Sequence, residues 1–316
     1  MTGFIDEHIS SVNIALALQK LLHGLIFAVG IGAHALGALC SRHIVGKVYQ
    51  HVAEAQEDIA EAAQLDENTG VLEVGPGIGC LTEQLAMRAG KVVAVELDNA
   101  LRPVLKQTLA GKDNVEIIFG DVLKQDIKGL VAEKMHGLRP VVCANLPYNV
   151  TSPLITAFLE AECFDSVTVM IQREVAKRIC AKPATADYGA FTVLVNWYAE
   201  PELLFDVPPS CFIPQPKVTS SVIRLKTRSA PPVKVKDKVL FFRVVRAAFG
   251  MRRKTLTNAL SANFNELNKA DIENLLTACG FDPKIRGEVL SIGDFAAISD
   301  AIFDIINKPE ALTAQP

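Results

Sequence analysis

Five short apolar runs, spaced regularly through residues 71–171, constrain the fold of this chain more than any other feature. The runs are Val71–Val74, Val92–Leu97, Val115–Phe119, Val141–Ala144 and Val167–Ile171. Segments of helical length, such as Leu81–Ala89 and Ala100–Leu109, separate them. Strands that are apolar throughout are buried on both faces, and strands that alternate with helices form parallel sheets covered on both sides. The sequence therefore predicts an α/β fold with a doubly covered parallel sheet.

The segments on either side of these runs complete the predicted architecture. Ile44–Ala63 is predicted to be a helix, and Glu202–Val207 and Ser220–Lys226 to be strands that could close the sheet as an antiparallel pair. Residues 227–239, with two adjacent prolines and alternating lysines, break the pattern. Four helical segments follow: Leu240–Phe249, Lys254–Phe264, Asp271–Gly280 and Ile292–Ile306. We therefore expect an α/β domain over residues 41–228 and a small all-α domain over residues 229–316.

The cysteines and histidines argue against a disulfide scaffold and against a metal centre. The chain has seven cysteines and six histidines, without a C-x-x-C pair, an H-E-x-x-H or an H-x-H. Structural zinc sites, zinc hydrolases and disulfide-rich secreted domains depend on such regular spacings. We therefore expect no metal and a reducing, cytoplasmic setting.

The first 40 residues stand apart from this pattern. Residues 21–40 form an apolar run of about bilayer-spanning length. The start of the chain, MTGFIDEHISS, lacks the positive region of a signal anchor, and no convincing cleavage site follows. We expect a buried or poorly ordered helix, or a wrongly assigned start of the reading frame, rather than a membrane segment.

Positive charge is concentrated in one segment of an otherwise acidic chain. Between Lys217 and Lys254 there are twelve Lys and Arg residues and one acid, a net charge of +11 in a chain whose total is −3, so the remainder carries −14. A local positive field attracts polyanions even when the whole protein is acidic. The segment is therefore either a face that binds nucleic-acid phosphates or a solvated charge run.

The first predicted strand leads directly into a glycine-rich turn, VLEVGPGIGCLT, that opens the next helix. Gly75, Gly77 and Gly79 would let the backbone approach a ligand, and helix N-terminal amides favour a carboxylate or phosphate. Glu96 ends the second strand 21 residues after Gly75, where a carboxylate can accept both hydroxyls of a ribose. The spacing E-x-G-x-G-x-G is typical of S-adenosylmethionine methyltransferases rather than dinucleotide binders. After the third strand, Asp121 could accept a hydrogen bond from the cofactor's adenine or merely cap a turn.

A second motif, ANLPYNVTSP, follows the fourth predicted strand at an end that faces ligands in α/β sheets. An adenine amine is a poor nucleophile because its lone pair is delocalised into the ring. Acceptors at the Asn145 side chain and the Leu146 carbonyl could hold both amine hydrogens and turn the lone pair toward a methyl group. Pro147 fixes the turn, and Tyr148 offers a face for stacking. Asn-x-Pro-Tyr resembles the motif of enzymes that methylate exocyclic amines of bases, by positioning and electrostatics.

A base inside a duplex cannot reach such a pocket and must be flipped out or already unpaired. A second aromatic side chain would then help to hold it. Phe212, in the proline-rich loop CFIPQPKVTSSV, is the candidate. Core packing is the usual role of a single phenylalanine, but its setting among prolines favours stacking on the base.

Several motifs, taken together and in order, resemble the KsgA family of rRNA adenine N6-dimethyltransferases. They are EVGPGIGCLTE, VVAVELD, GDVL, NLPYNVTSPL, VMIQREVAKRI, YGAF, FIPQPKVTSSV and AFGMRRKTL. The resemblance runs from about residue 41 to about residue 305. The related Erm methyltransferases, which modify large-subunit rRNA, share the glycine turn, whereas the NLPYN, FIPQPKV and RRKT segments are more similar to KsgA.

This resemblance implies a Rossmann-like S-adenosylmethionine-dependent methyltransferase with a small helical RNA-binding domain, acting as a monomer in ribosome biogenesis. Its reaction would dimethylate two adjacent adenines near the 3′ end of 16S rRNA in the small ribosomal subunit. The implied ligands of S-adenosyl-L-methionine are Gly75, Gly77, Gly79, Glu96, Asp121 and Asn145. The implied base-handling residues are Asn145, Leu146, Pro147, Tyr148 and Phe212. The residues implied to lie on rRNA phosphates are Lys217, Arg252, Arg253 and Lys254.

One family feature is missing, and two other functions remain as alternatives. The family carries a cofactor-covering segment like K-x-x-G-Q-N-F-L before the point where the resemblance begins, and residues 1–40 contain nothing similar. We therefore expect this chain to bind the cofactor more weakly than a version that carries the segment.

A non-catalytic ribosome-assembly or transcription factor would not need the intact NLPY turn or Glu96. An NAD-dependent dehydrogenase would need a different glycine spacing.

Overall fold

The computed structural model of this 316-residue chain describes residues 54–212, 215–251 and 253–307. The predicted helix over Ile44–Ala63 is described from residue 54 and continues to residue 62 as α1. Residues 1–40, which include the apolar run at 21–40 and lack a cofactor-covering segment, lie outside the described residues, and so does Arg252. The predictions about them therefore stay predictions.

A seven-stranded sheet forms the centre of the fold, in the strand order β3-β2-β1-β4-β5-β7-β6. Its first five strands are β1 Thr69–Val74, β2 Lys91–Glu96, β3 Val115–Phe119, β4 Arg139–Asn145 and β5 Ser166–Gln172. They are parallel, with Val71 opposite Val92 on one side and Val141 on the other. Helices α2 Cys80–Ala86, α3 Arg102–Thr108, α4 Ile127–Lys134 and α5 Thr151–Glu160 connect them. The predicted α/β fold is confirmed, because each apolar run is a strand of the parallel sheet. Strand β3 lies at the edge of the sheet, and the other four have neighbours on both sides.

Strands β6 Ala199–Val207 and β7 Ser220–Thr227 complete the sheet as an antiparallel pair. Just beyond β7, the N–H of Arg228 donates to the carbonyl of Tyr198, which precedes β6, at 2.8 Å. Near the start of β7, the Ser221 hydroxyl donates to Asp206, near the end of β6, at 2.6 Å. The start of each strand therefore faces the end of the other, as the sequence predicted.

The chain divides into two compact units. The first comprises the described residues up to Arg173 together with Leu203–Leu225, and holds most of the sheet. The second comprises Glu174–Glu202 and the described residues from Lys226 onward. Its helices are most of α6 Arg173–Ile179, and α7 Ala190–Tyr198, α8 Lys238–Gly250, α9 Leu256–Ser261, α10 Lys269–Ala278 and α11 Ile292–Ile306.

Aromatic packing explains why residues 174–202 belong to the second unit although they precede the composition break. The Trp197 ring on α7 lies 4.5 Å, centroid to centroid, from that of Phe241 on α8 and 5.4 Å from that of Phe242. The hydroxyl of the buried Tyr188 donates to the carbonyl of Leu290 at 2.8 Å. Each large aromatic side chain buries about 150–250 Å², so these contacts attach the segment firmly to the second unit. Among the described residues, no helix combines the length and apolarity needed to cross a membrane.

Candidate active site

The glycine turn after β1 adopts a backbone that favours glycine at three positions. Gly75, Gly77 and Gly79 have φ values of +71°, +60° and +92°, a region that side chains with a Cβ rarely occupy. A Cβ added to Gly77 would meet no atom within 4 Å, whereas one added to Gly79 would lie 3.1 Å from Cδ2 of Leu109, just after α3. Gly77 therefore leaves open space for a ligand, and Gly79 serves the packing of the turn against α3.

Glu96, the last residue of β2, is fixed by two backbone hydrogen bonds. Its Oε2 accepts from the N–H of Gly77 at 3.1 Å, and its Oε1 accepts from the N–H of Asp98 at 2.8 Å. The carboxylate therefore lies beside the open part of the glycine turn. A carboxylate has about four acceptor positions, so it keeps capacity for the two hydroxyls of a ribose. This arrangement fits the nucleoside part of the expected cofactor.

Asp121 follows β3 and caps a turn, which is one of the two roles predicted for it. Its Oδ1 accepts from the N–H of Leu123 at 3.1 Å, and Lys124 lies 3.6 Å from its Oδ2. Two exposed apolar residues near these strand ends, Leu97 and Leu123, were not predicted as site residues from the sequence; their exposed fractions are 69% and 41%. Their signal was a leucine directly after the strand-terminal Glu96 and a leucine two residues after Asp121. Exposed leucines at the ends of adjacent strands offer a surface on which a flat ring can lie.

The NLPY turn begins where β4 ends and leaves two acceptors unused. The N–H of Leu146 donates to Met170 on β5 at 3.1 Å, and the Pro147 carbonyl accepts from Val150 N–H at 3.2 Å and from the Thr151 hydroxyl at 3.0 Å. Within the part of the chain that the structure describes, neither the Asn145 side chain nor the Leu146 carbonyl has a hydrogen-bond partner. Both predicted acceptors are therefore without protein donors among the described residues, with Asn145 half-buried and Leu146 buried.

The two motifs meet at the same edge of the sheet, because β1 and β4 are neighbours. A Cβ built on Gly75 would lie 3.9 Å from Cγ of Pro147. The glycine turn, Glu96 and Asn145 are thus brought together from residues far apart in sequence. Carboxyl ends of parallel strands at such a position are where ligands bind in open α/β sheets.

The two aromatic candidates have different surroundings. The Tyr148 hydroxyl lies 2.6 Å from that of Ser220, the buried first residue of β7. Phe212 is half-buried and packs against the apolar cluster that contains Val207 and Val222. No contact between the Tyr148 and Phe212 rings occurs among the described residues. Phe212 therefore has a packing role here, and its stacking on a base stays a prediction.

A buried carboxyl group, that of Glu73, lies on β1 two residues before the glycine turn. It was not predicted from the sequence as a site residue. Glu73 on β1 is 1% exposed, and neither its Oε2 nor the Thr82 hydroxyl has a hydrogen-bond partner among the described residues. The pKa of Glu73 is raised from 4.5 to about 8, mainly by burial. The nearby Thr82 hydroxyl opposes this rise, and the charge of Glu96 adds to it. The carboxyl group is therefore mainly neutral at pH 7.

Glu73→Gln should make the stability of the protein less dependent on pH. A carboxyl group whose pKa is raised by folding stabilises the protein fully below its unfolded pKa of 4.5, and this contribution is lost as pH rises toward 8. The variant, which cannot ionise, should match the wild type near pH 5 and exceed its free energy of unfolding by a few kcal/mol at pH 8.5. Urea denaturation across this range measures the difference. Equal pH dependence would contradict the assignment, and Glu67→Gln, at an exposed position, is the control.

The candidate RNA-binding residues are exposed where they are described. Lys217 lies on the surface of the first unit. Arg253 and Lys254 lie on the surface of the second unit, in the connection between α8 and α9, where the N–H of Lys254 donates to the carbonyl of Met251 at 2.8 Å. Arg252 lies outside the described residues. Among the described residues, no group of three or more histidine, cysteine, aspartate or glutamate side chains could hold a metal ion.

Comparison with known proteins shows similarity along most of the chain. A family model described as Ribosomal RNA adenine dimethylase matches residues 45–300. Ribosomal RNA small subunit methyltransferase A of Geobacillus kaustophilus is 48% identical over 254 residues, which cover 79% of this chain and 87% of that protein. The protein of the same name from Shouchella clausii is 49% identical over 255 residues, which cover 80% of this chain and 86% of that protein.

Two solved structures share the fold. The 23S rRNA methyltransferase ErmE matches with a TM-score of 0.60 and 26% identity, covering 79% of this chain and 97% of ErmE. A dimethyladenosine transferase from Plasmodium falciparum matches with a TM-score of 0.63 and 25% identity, covering 78% of this chain and 94% of that one. The predicted Rossmann-like methyltransferase fold is therefore confirmed.

Proposed function

Because this chain belongs to the ribosomal RNA adenine dimethylase family, we propose that it dimethylates N6 of two adjacent adenines near the 3′ end of 16S rRNA in the small ribosomal subunit. It is an rRNA adenine dimethyltransferase that uses S-adenosylmethionine. The relatives at 48% and 49% identity are named small subunit methyltransferases, whereas ErmE, named for 23S rRNA, is 26% identical. This difference favours the small subunit as the substrate.

The observation that carries the proposal is the pair of unused acceptors beside the glycine turn. Asn145 and Leu146 offer a side-chain oxygen and a carbonyl oxygen with no protein donor among the described residues, and Pro147 places them next to Gly75. An exocyclic amine has two hydrogens to donate. The turn therefore suits a base amine better than a hydroxyl or a carbonyl group.

The chain's own residues would bind, orient and exclude water. Glu96 would accept the ribose hydroxyls while Gly77 keeps the backbone clear, and Leu97 and Leu123 would cover the adenine of the cofactor. The bound cofactor supplies an electrophilic methyl group on its sulfonium. Asn145 and Leu146 would hold the target amine so that its lone pair faces that methyl group. The methylated amine is acidic enough to lose its proton without a strong general base.

The proposed function also requires contacts with the RNA and a location in the cell where ribosomal subunits are present. Tyr148 and Phe212 would hold the unpaired base, and Lys217, Arg252, Arg253 and Lys254 would contact rRNA phosphates. We further propose that the small helical domain at residues 229–316 binds the RNA, and that the protein acts as a monomer in the cytoplasm. The six described cysteines are all free, which fits a reducing compartment.

Methyl transfer to isolated ribosomal subunits tests this function. The full chain with S-adenosylmethionine should form N6,N6-dimethyladenosine at two adjacent positions of small subunits that lack this modification, measured by mass spectrometry of digested rRNA. Large subunits from the same cells are the control and should stay unmodified. Methylation of large subunits alone, or of neither, would overturn the proposal.

Replacing Arg253 and Lys254 by alanine should weaken rRNA binding without changing cofactor binding. Each lost phosphate contact should reduce the slope of log affinity against log salt by about one unit. The control replaces Lys128 and Lys269, which are also exposed but lie outside the basic segment. Filter binding to rRNA at several salt concentrations gives the slopes. An unchanged slope would mean that the segment is a solvated charge run.

A further inference from the structure

We propose that Ser220 is a positioning residue for methyl transfer: its hydroxyl holds the phenol of Tyr148 and so fixes the ring against which the target base stacks. The inference rests on the proposed function, because it assigns the stacking face to Tyr148. From the sequence, Ser220 is predicted only to begin a strand. The contact joins residues that are 72 positions apart.

The hydrogen bond between the two hydroxyls is short and partly sheltered from water. The Tyr148 Oη and the Ser220 Oγ are 2.6 Å apart, Ser220 is 0% exposed, and Tyr148 is half-buried. A short O–H···O distance is typical of a well-formed hydrogen bond. It links the turn after β4 to β7, on the far side of β5 in the sheet. The tip of the tyrosine is therefore held by a part of the sheet other than its own strand.

Other contacts fix the backbone of this turn but not the tyrosine ring. The Thr151 hydroxyl lies 3.0 Å from the Pro147 carbonyl and 3.4 Å from the Tyr148 carbonyl, and the N–H of Val150 donates to Pro147. These bonds leave both side-chain torsions of Tyr148 free. Among the described residues, Ser220 makes the only side-chain hydrogen bond to Tyr148. The orientation of the ring therefore depends on this serine.

A ring held in place before the base arrives lowers the entropy cost of reaching the reactive geometry. One hydrogen bond contributes about 0.5–1.5 kcal/mol net. Its loss should therefore slow the chemical step by up to about tenfold. The effect should fall on kcat for methylation of the rRNA and not on cofactor affinity, because Ser220 makes no hydrogen bond to the glycine turn or to Glu96 among the described residues.

The neighbouring Ser221 provides a matched control. Successive residues of a strand point to opposite faces, and the Ser221 hydroxyl donates to Asp206 at 2.6 Å rather than to Tyr148. Both serines are 0% exposed. Ser220→Ala and Ser221→Ala thus remove equally buried hydroxyls with equally short hydrogen bonds, and only the first removes a contact to the NLPY turn.

The experiment is a double-mutant cycle with undermethylated small subunits and saturating S-adenosylmethionine. The full-length variants are Ser220→Ala, Tyr148→Phe and the double variant, with Ser221→Ala as control. We expect each of the two single changes to lower kcat about five- to tenfold, and the double variant to be no slower than either single variant. Cofactor affinity by calorimetry should stay unchanged, and Ser221→Ala should keep the wild-type kcat.

The outcomes separate this inference from the proposed function. Additive losses in the double variant, or equal losses with Ser220→Ala and Ser221→Ala, would overturn the positioning role, because a structural effect would produce both. A wild-type kcat in Ser220→Ala would also overturn it. If the wild-type protein methylates no small subunits, the proposed function itself fails. Thermal unfolding of each variant excludes loss of folding as the cause.

Discussion

Asn145→Ala should lower the rate of methyl transfer about 100- to 1,000-fold, the largest loss expected from a single substitution in this protein. The side-chain oxygen of Asn145 has no protein partner among the described residues and is one of two acceptors for the target amine. Losing a preorganised group that acts in the transition state typically costs two to three orders of magnitude. Single-turnover methylation of undermethylated small subunits, with the variant in excess, measures the chemical step directly.

The same turn offers a control for this substitution. Asn149 is an exposed asparagine four residues further on, and Asn149→Ala should keep the rate close to that of the wild type. Circular dichroism and thermal unfolding should show that both variants fold. A near wild-type rate in Asn145→Ala would show that the amine is held by other groups, and the proposed mechanism would be wrong.

Glu96→Gln should raise the dissociation constant of S-adenosylmethionine by at least about 100-fold. The carboxylate accepts from the N–H groups of Gly77 and Asp98, one at each oxygen. An amide has a single acceptor oxygen, so its NH₂ group would face one of these donors. The amide is also uncharged, so both hydrogen bonds from the ribose hydroxyls are lost or weakened. A hydrogen bond to a charged group contributes about 1.5–3 kcal/mol, and two such changes correspond to the expected change in affinity.

Calorimetric titration of both proteins with S-adenosylmethionine tests this expectation. Glu116→Gln is the matched control, because Glu116 lies on the adjacent strand β3 and pairs with Lys91 and Lys134 at the surface. That variant should bind the cofactor like the wild type. An unchanged affinity in Glu96→Gln would mean that Glu96 only shapes the glycine turn and does not bind the ribose.

Much of the fold could be predicted because its signals are local. Apolar runs such as Val92–Leu97 are typical of strands in a sheet that is covered on both faces, and every predicted strand of the parallel sheet occurs within a residue or two of its expected bounds. Strand ends also indicate where ligands bind, so the glycine turn, Glu96 and Asn145 could be predicted to lie together. A Cβ built on Gly75 would lie 3.9 Å from Cγ of Pro147, so the glycine turn and the NLPY turn lie side by side.

Other features depend on which residues become neighbours in space. The chain passes from the first unit to the second at residue 174 and returns to the first at residue 203, and no composition break marks either point. The segment joins the second unit because Trp197 packs against Phe241 and Phe242. Aromatic residues occur in either kind of core, so their types alone do not assign them to one.

The strands of the parallel sheet, the glycine turn and the NLPY turn can be read from the sequence, because residue type and spacing specify them within short segments. The environment of particular groups depends instead on how distant segments pack together. Glu73 has a raised pKa because neighbouring elements bury it completely, and Tyr148 meets Ser220 because β7 inserts beside β5. Burial and contacts across about 70 residues depend on how the whole chain packs, which no local pattern encodes.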